Sequence, residues 1–175
     1  MNAKRVLCIA ATCLSVAIPA AYAQSSLPES IKVPDGHTIA LETVGVGEIT
    51  YECRDKAQAP GQTEWVFVGP KAVLNDRSGK QVGDYFGPPA TWKAKDGSSI
   101  TGTQLAVAPA SAGNIPYQLV KANPAEGKGA MQGVSYIQRV ATKGGVAPAS
   151  GCTPADKGKQ QVVQYQADYL FWAAK

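Results

Sequence analysis

The feature that most constrains this chain is how its apolar residues are divided. Short runs of β-branched and aromatic residues are separated by Gly, Pro, Asn and Asp from Gly36 onward. No window of ten or more residues repeats apolar side chains with the 3.6-residue period of a helix. The 18 glycines and 12 prolines also oppose long helices. The sequence therefore predicts an all-β domain.

Ten segments fit short strands, because they alternate apolar and polar residues or are apolar throughout. They are 38–44, 48–53, 64–68, 72–75, 81–86, 91–95, 98–108, 117–122, 133–142 and 162–172. Asp76-Arg77-Ser78-Gly79 favours a type I turn that ends on a left-handed Gly, and Asp96-Gly97 favours a two-residue hairpin. We expect a single-domain β-sandwich or barrel of about 8–10 short, mostly antiparallel strands.

The N-terminal segment has the features of a cleavable signal peptide. Lys4 and Arg5 precede an apolar stretch at 6–18, and Ala21-Tyr22-Ala23 supplies the small residues that signal peptidase requires. The apolar stretch is too short for a spanning helix, which needs roughly 20 residues. We predict cleavage after Ala23, a secreted or periplasmic protein, and no transmembrane segment in the mature chain. The predicted organisation is a signal peptide at 1–23, an extended N-terminal lead at 24–36 and one β domain at 37–175.

Cleavage would leave 152 of the 175 residues and two of the four cysteines, Cys53 and Cys152. In an oxidising compartment such a pair most simply forms one disulfide. The bond would close a loop of about 100 residues, for which chain entropy gives roughly 4–5 kcal/mol of stabilisation. The alternative is a thiolate nucleophile or a metal ligand, for which His37 is the only imidazole partner in the sequence.

Charge and motifs exclude several function classes. The net charge of +4 falls to +2 without Lys4 and Arg5, and the remaining basic residues are scattered, which argues against nucleic acid as a partner. The sequence has no Gly-x-Ser-x-Gly elbow, no glycine-rich phosphate loop and no His or Cys pairs at metal-ligand spacing. We therefore predict no catalytic residue, no metal and no cofactor.

Five residues are candidates for a ligand site. Tyr85, Phe86 and Trp92 belong to a segment braced by Gly and Pro, so they could form an exposed stacking surface or, alternatively, part of the core. Arg139 and Asp168 interrupt apolar strands. An unpaired buried charge is very costly, so each should be paired or lie at a wet cleft, and an ion pair between them is the simplest solution.

Turn glycines, prolines and aromatic residues recur in a specific order over nearly the whole mature chain. The segments are 47–53, Trp65 with 69–70, 74–83, 87–92, 96–102, 115–117, 133–145 with Cys152, and 165–171. On these segments the chain resembles a family of exported bacterial and fungal proteins known as a domain of unknown function, number 3455. The resemblance implies one exported domain with the Cys53–Cys152 pair and implies no activity.

Three hypotheses of function follow. The first is a non-enzymatic exported domain that binds a cell-envelope or extracellular ligand, such as a carbohydrate, through the Tyr85–Trp92 region. The second is a hydrolase or lyase with an acid-based site, which predicts a cleft that holds Arg139, Asp168 and a second carboxylate. The third is a structural envelope protein that acts through oligomerisation, which predicts an exposed sheet edge or an apolar patch.

Overall fold

The computed structural model describes residues 27–175, so the predicted signal peptide at 1–23 lies outside the described residues. Strands dominate, with single 3₁₀ turns at Glu29–Ile31 and Pro154–Asp156. The strands are β1 His37–Asp55, β2 Thr63–Asn75, β3 Gln81–Phe86, β4 Thr91–Ala94, β5 Ser99–Ala108, β6 Tyr117–Ala122, β7 Val134–Gly144 and β8 Gln160–Ala174.

The eight strands form one closed barrel in sequence order. Each strand pairs antiparallel with the next, and β1 closes the ring against β8 from His37–Ala174 to Glu52–Gln160. The predicted all-β fold is confirmed, and the choice between sandwich and barrel is settled in favour of a barrel. An eight-stranded barrel has an interior just wide enough for side chains or for one small ligand.

Two predicted strand breaks are wrong. Segments 38–44 and 48–53 form the single strand β1, although Gly45 and Gly47 lie between them. A Cβ atom on Gly45 would lie 2.5 Å from the Tyr169 ring, and one on Gly47 would lie 2.2 Å from the Lys71 carbonyl oxygen. These glycines therefore permit close approach within the sheet and make no turn.

The second wrong break lies in β2, which joins segments 64–68 and 72–75 through Gly69-Pro70. The register shifts opposite this dipeptide, between Thr50 and Tyr51 of β1. A bulge of this kind absorbs the irregular backbone and lets the strand continue. The predicted turn at Asp76–Gly79 is confirmed, with Gly79 at φ +88°. A turn also lies at Asp96-Gly97, with Gly97 at φ +92°, but its loop has three residues and not two, because the Ala94 N–H donates to the Ser98 carbonyl oxygen.

Two apolar clusters hold the fold together. The interior of the barrel is filled largely by aromatic side chains: Tyr51, Tyr85, Trp92, Tyr165, Tyr169 and Phe171. A second cluster lies on the outer face, where Ile31 and Val33 of the N-terminal lead cover Leu119, Leu170 and Trp172. Gln138 donates a buried hydrogen bond of 2.7 Å from Nε2 to the Ile31 carbonyl oxygen, which fixes the lead on the barrel wall.

The predicted disulfide between Cys53 and Cys152 is confirmed. It joins the end of β1 to the long β7–β8 loop. Thr63 Oγ1 donates to the Cys152 carbonyl oxygen at 2.8 Å, and Trp65 Nε1 donates to the Ser150 carbonyl oxygen at 3.0 Å. The loop is thus fastened to β1 and β2. Within residues 27–175, no helix is long and apolar enough to cross a membrane.

Candidate ligand-binding site at the barrel mouth

Strand alternation gathers residues from six strands around a cavity of about 300 Å³ at one end of the barrel. The β1–β2, β3–β4, β5–β6 and β7–β8 connections lie at the same end, because consecutive strands run antiparallel. We call this space the barrel-mouth cavity. Its lining, contributed mainly by inward positions of β2 to β7, is Phe67, Tyr85, Ala90, Trp92, Gly102, Gln104, Gln118, Val120 and Arg139.

Two of the three predicted aromatic residues line this cavity from the core. Tyr85 is 6% exposed and Trp92 1% exposed, so neither belongs to an exposed loop. They are cross-strand partners on β3 and β4, and their rings stack with centroids 4.8 Å apart. The core interpretation therefore holds for both residues, and each presents only its cavity-facing surface to a bound molecule.

Phe86 lies elsewhere. It is 44% exposed on the outer face, because it follows Tyr85 on β3 and successive strand residues point to opposite faces. The strand predicted at 81–86 is confirmed as β3, and the turn that follows covers only the residues between Phe86 and β4. Phe86 therefore does not join the other two aromatic residues in the barrel-mouth cavity.

The indole of Trp92 carries an unused hydrogen-bond donor. Among the described residues, no acceptor pairs with its buried Nε1. A buried donor without a partner costs about 1–3 kcal/mol, and most native ones are satisfied by protein or by water. Since Trp92 also borders the cavity, its indole signal is a local reporter of the contents of the cavity.

Arg139 supplies the cavity's positive charge. It lies on β7 opposite Tyr169 of β8 and Gln118 of β6, and both partners share its inward face. Its Nε and Nη2 donate to the Pro116 carbonyl oxygen at 3.2 and 2.9 Å. Within residues 27–175, no carboxylate lies within 4 Å of the guanidinium. Of the two arrangements expected for this charge, an ion pair or a position at a cleft, the structure has the second, because Arg139 lines the barrel-mouth cavity.

The tyrosines behind Arg139 are proton donors at neutral pH. Burial raises the pKa of Tyr85, Tyr165 and Tyr169, and the positive charge of Arg139 opposes this rise without cancelling it. The hydroxyl oxygens of Tyr165 and Tyr169 lie 3.1 Å apart. These hydroxyls can donate hydrogen bonds, but they are poorly suited to act as general bases near pH 7.

The expected ion pair between Arg139 and Asp168 is wrong. Asp168 is paired across the sheet with Val140, whose side chain belongs to the outer cluster, so the carboxylate faces outward. There it accepts Arg77 Nη1 at 2.8 Å, and Arg77 Nε also contacts Glu42 at 3.1 Å. The expectation that Asp168 is paired is correct, but the barrel wall separates it from Arg139. No single cleft contains the two residues of the predicted acid-based site.

Sequence reasoning missed Phe67, Gln104 and Gln118. Phe67 lies opposite Tyr51 and remains 51% exposed at the rim. Gln118 Nε2 donates to Gln104 Oε1, so the two amides are joined. Gln104 continues the inward series of Ile100 and Gly102, and the bulge between Gln104 and Ala106 turns only the alanines after it outward. In the described part of the chain, no three His, Cys, Asp or Glu side chains form a metal-binding group.

Comparison with known proteins identifies one family. A family model described as "Protein of unknown function (DUF3455)" matches residues 34–173, which is most of the chain and the whole barrel wall apart from the last residue of β8. No curated protein matches the chain. No solved structure matches it either.

Proposed function

This chain belongs to the DUF3455 family of proteins of unknown function, and from that premise we propose that it is a non-enzymatic binding domain whose barrel-mouth cavity holds a compact ligand. The observation that carries the proposal is the convergence of Tyr85, Trp92 and Arg139 on one cavity. The disulfide suits an oxidising compartment, so the ligand would be met outside the cytoplasm, in the cell envelope or the medium.

The size and lining of the cavity favour a single ring. A volume of about 300 Å³ lies at the lower end of the range for small-molecule sites. Aromatic walls with a few polar groups are typical of such sites, and aromatic faces stack on sugar rings or on planar groups. A monosaccharide or a molecule of similar size fits these properties.

The surroundings of the cavity are rigid, which favours a site that is already formed before the ligand binds. The lining residues lie mainly on paired strands of a closed barrel. The β7–β8 loop at the same end is fastened by the disulfide and by the hydrogen bonds from Thr63 and Trp65. A site that is ordered before binding loses little conformational entropy when the ligand arrives.

The indole N–H signals provide a direct test. Titration of the ¹⁵N-labelled protein with a panel of neutral and acidic monosaccharides and small aromatic acids should shift the Trp92 signal. Trp172 is a matched control, because its Nε1 is equally buried and lacks a partner among the described residues, yet it lies in the outer cluster. A panel that leaves Trp92 unmoved at millimolar concentration, or moves Trp172 equally, contradicts the proposal.

A pair of variants tests the location of the site. Phe67→Ala removes a rim aromatic that lines the cavity, and Phe86→Ala removes one of similar exposure on the outer face. Loss of one aromatic contact is worth about 0.5–1.5 kcal/mol. We therefore expect Phe67→Ala to weaken the bound probe roughly two- to tenfold and Phe86→Ala to leave its Kd unchanged. Equal effects of the two substitutions would place the ligand elsewhere.

A second candidate function is self-association through the outer groove, a surface depression of about 710 Å³ across β1 to β4. Three exposed apolar residues, Val46, Val73 and Phe86, lie in it. The groove also carries both signs of charge: Glu48 is the cross-strand partner of Lys71, and Asp84 is that of Lys93. Alternating charges let the same patch on two copies pair about a twofold axis, so we infer that the occupant is a second copy of this chain.

Solution mass tests the self-association. We expect a concentration-dependent dimer in sedimentation equilibrium, and Val73→Lys should abolish it by placing a charge in the apolar strip. Val107→Lys is the control, because Val107 is comparably exposed but lies on β5, outside the groove. A wild-type mass that stays monomeric up to about 1 mM would rule the dimer out, since that concentration corresponds to only about 4 kcal/mol of association.

A further inference from the structure

The free hydrogen-bonding edge of Arg139 specifies the chemistry of the ligand. We infer that the barrel-mouth cavity binds a small monocarboxylate, whose carboxylate forms a bidentate pair with Arg139 while its ring packs against Phe67 at the rim of the cavity. The inference rests on the proposed binding function and adds the class of ligand. Acidic sugars and aromatic acids share this chemistry, and the experiment below separates them.

The first argument is the missing counter-ion. A guanidinium is charged at every physiological pH, and a partly buried charge is normally paired. Arg139 faces the cavity and forms no ion pair with any residue in 27–175. Asp168, which follows on β8 next to the cross-strand partner of Arg139, does not help, because it is directed outward and bound to Arg77. A ligand anion would supply the missing charge.

The second argument is the geometry of the guanidinium. An Arg side chain offers two edges, one formed by Nε with Nη2 and one formed by Nη1 with Nη2. Pro116 occupies the first edge through its carbonyl oxygen, which fixes the plane of the group. The second edge makes no hydrogen bond to a described residue. Two parallel N–H groups at such an edge match the two oxygens of a carboxylate.

The third argument concerns competing charges. The neighbouring tyrosine hydroxyls stay protonated at neutral pH, so none of them serves as an internal anion. Among the described residues that line the cavity, Arg139 is the only cation. Lys71 and Lys93 line the outer groove instead. A single cation in a small cavity favours a monoanion over a phosphate, which carries more charge and more oxygens to satisfy.

The hydrogen-bonded amides of Gln104 and Gln118 provide polar groups for the rest of the ligand. Gln118 donates to Gln104, which leaves the Gln104 amide N–H groups and the Gln118 carbonyl oxygen available at the cavity wall. These groups can bind hydroxyls on the ring that carries the carboxylate. The half-exposed ring of Phe67 then contacts the ring itself.

The test compares acids with neutral analogues of the same shape. The probes are galacturonate against galacturonamide and 4-hydroxybenzoate against 4-hydroxybenzamide, each titrated into the protein and followed through the Trp92 indole signal and by calorimetry. We expect at least one acid to bind about tenfold or more tightly than its amide, because a hydrogen bond to a charged group is worth more than a neutral one. The pair that shows the preference distinguishes an acidic sugar from an aromatic acid.

Variants test whether Arg139 is responsible for the preference for the acid over its amide. Arg139→Gln should reduce the acid-to-amide ratio to about one, and Arg139→Lys should retain only part of it, because an ammonium lacks the planar two-donor edge. Lys93→Gln is the charge-matched control on the outer face and should keep the full ratio. An unchanged Trp172 indole signal in each variant shows that the barrel is still folded.

Two results would overturn the inference. If acid and amide bind wild type equally, or if the preference survives in Arg139→Gln, the carboxylate assignment is wrong while the binding site itself stands. If no probe of either kind moves the Trp92 signal, the inference and the proposed function both fail.

Discussion

Replacing Cys53 and Cys152 together by alanine is expected to lower the free energy of unfolding by about 2–5 kcal/mol. The bond links residues 99 apart in sequence, so its loss frees a long loop in the unfolded chain. The measurement is urea unfolding of wild type and variant, each with and without reductant. Wild type in reductant should approach the double variant, whose own midpoint should not respond to reductant.

The native barrel should survive this change at low denaturant. The hydrogen bonds of Thr63 and Trp65 to the β7–β8 loop do not depend on the disulfide. The backbone bond of 2.9 Å between the Cys53 N–H and the Lys159 carbonyl oxygen also remains. A loss below about 1 kcal/mol would show that the chain-entropy account does not apply to this barrel.

Trp92→Ala should have a comparable effect, a loss of about 3–5 kcal/mol in the free energy of unfolding. Trp92 is almost fully buried and packs between Tyr85, Tyr169 and Phe171. Its removal leaves a large hole next to the barrel-mouth cavity. Denaturant unfolding followed by far-ultraviolet circular dichroism measures the loss without relying on tryptophan fluorescence.

Two further substitutions separate packing from hydrogen bonding. Trp92→Phe keeps a stacked ring and removes the unpaired N–H group, so its cost should be well below that of alanine. Trp65→Ala removes a less buried indole that is bonded to Ser150, and it should cost about 1–2 kcal/mol. If Trp92→Ala cost no more than Trp65→Ala, Trp92 would not be a central core residue.

The fold class could be predicted from the sequence, but the pairing of the strands into a closed barrel could not. Alternating segments and the turns at Gly79 and Gly97 are local signals, and they were sufficient for an all-β domain. Whether the sheet closes depends on the pairing of β1 with β8, which no local pattern encodes. Gly45 and Gly47 were misinterpreted for the same reason, because the groups that need their space, the Tyr169 ring and the Lys71 carbonyl oxygen, belong to other strands.

The candidate site could be predicted only in part. The side chains of Tyr85, Trp92 and Arg139 line one cavity, but Phe86 and Asp168 lie on the opposite face of their strands. The period of two along a strand separates immediate neighbours, so residues that are adjacent in sequence rarely share a site. Gln104 and Gln118 could be recognised as lining residues only once the pairing of β5 with β6 was known.

The meeting of the first and last strands has a kinetic consequence. Until β8 is in place, β1 and β7 both present unpaired backbone edges, and each edge is a template for another chain. Contacts between such distant segments also make folding slow. The interval before closure is therefore the time at which this protein is most exposed to aggregation, and dilute conditions or a chaperone that shields strand edges should raise the yield of refolding.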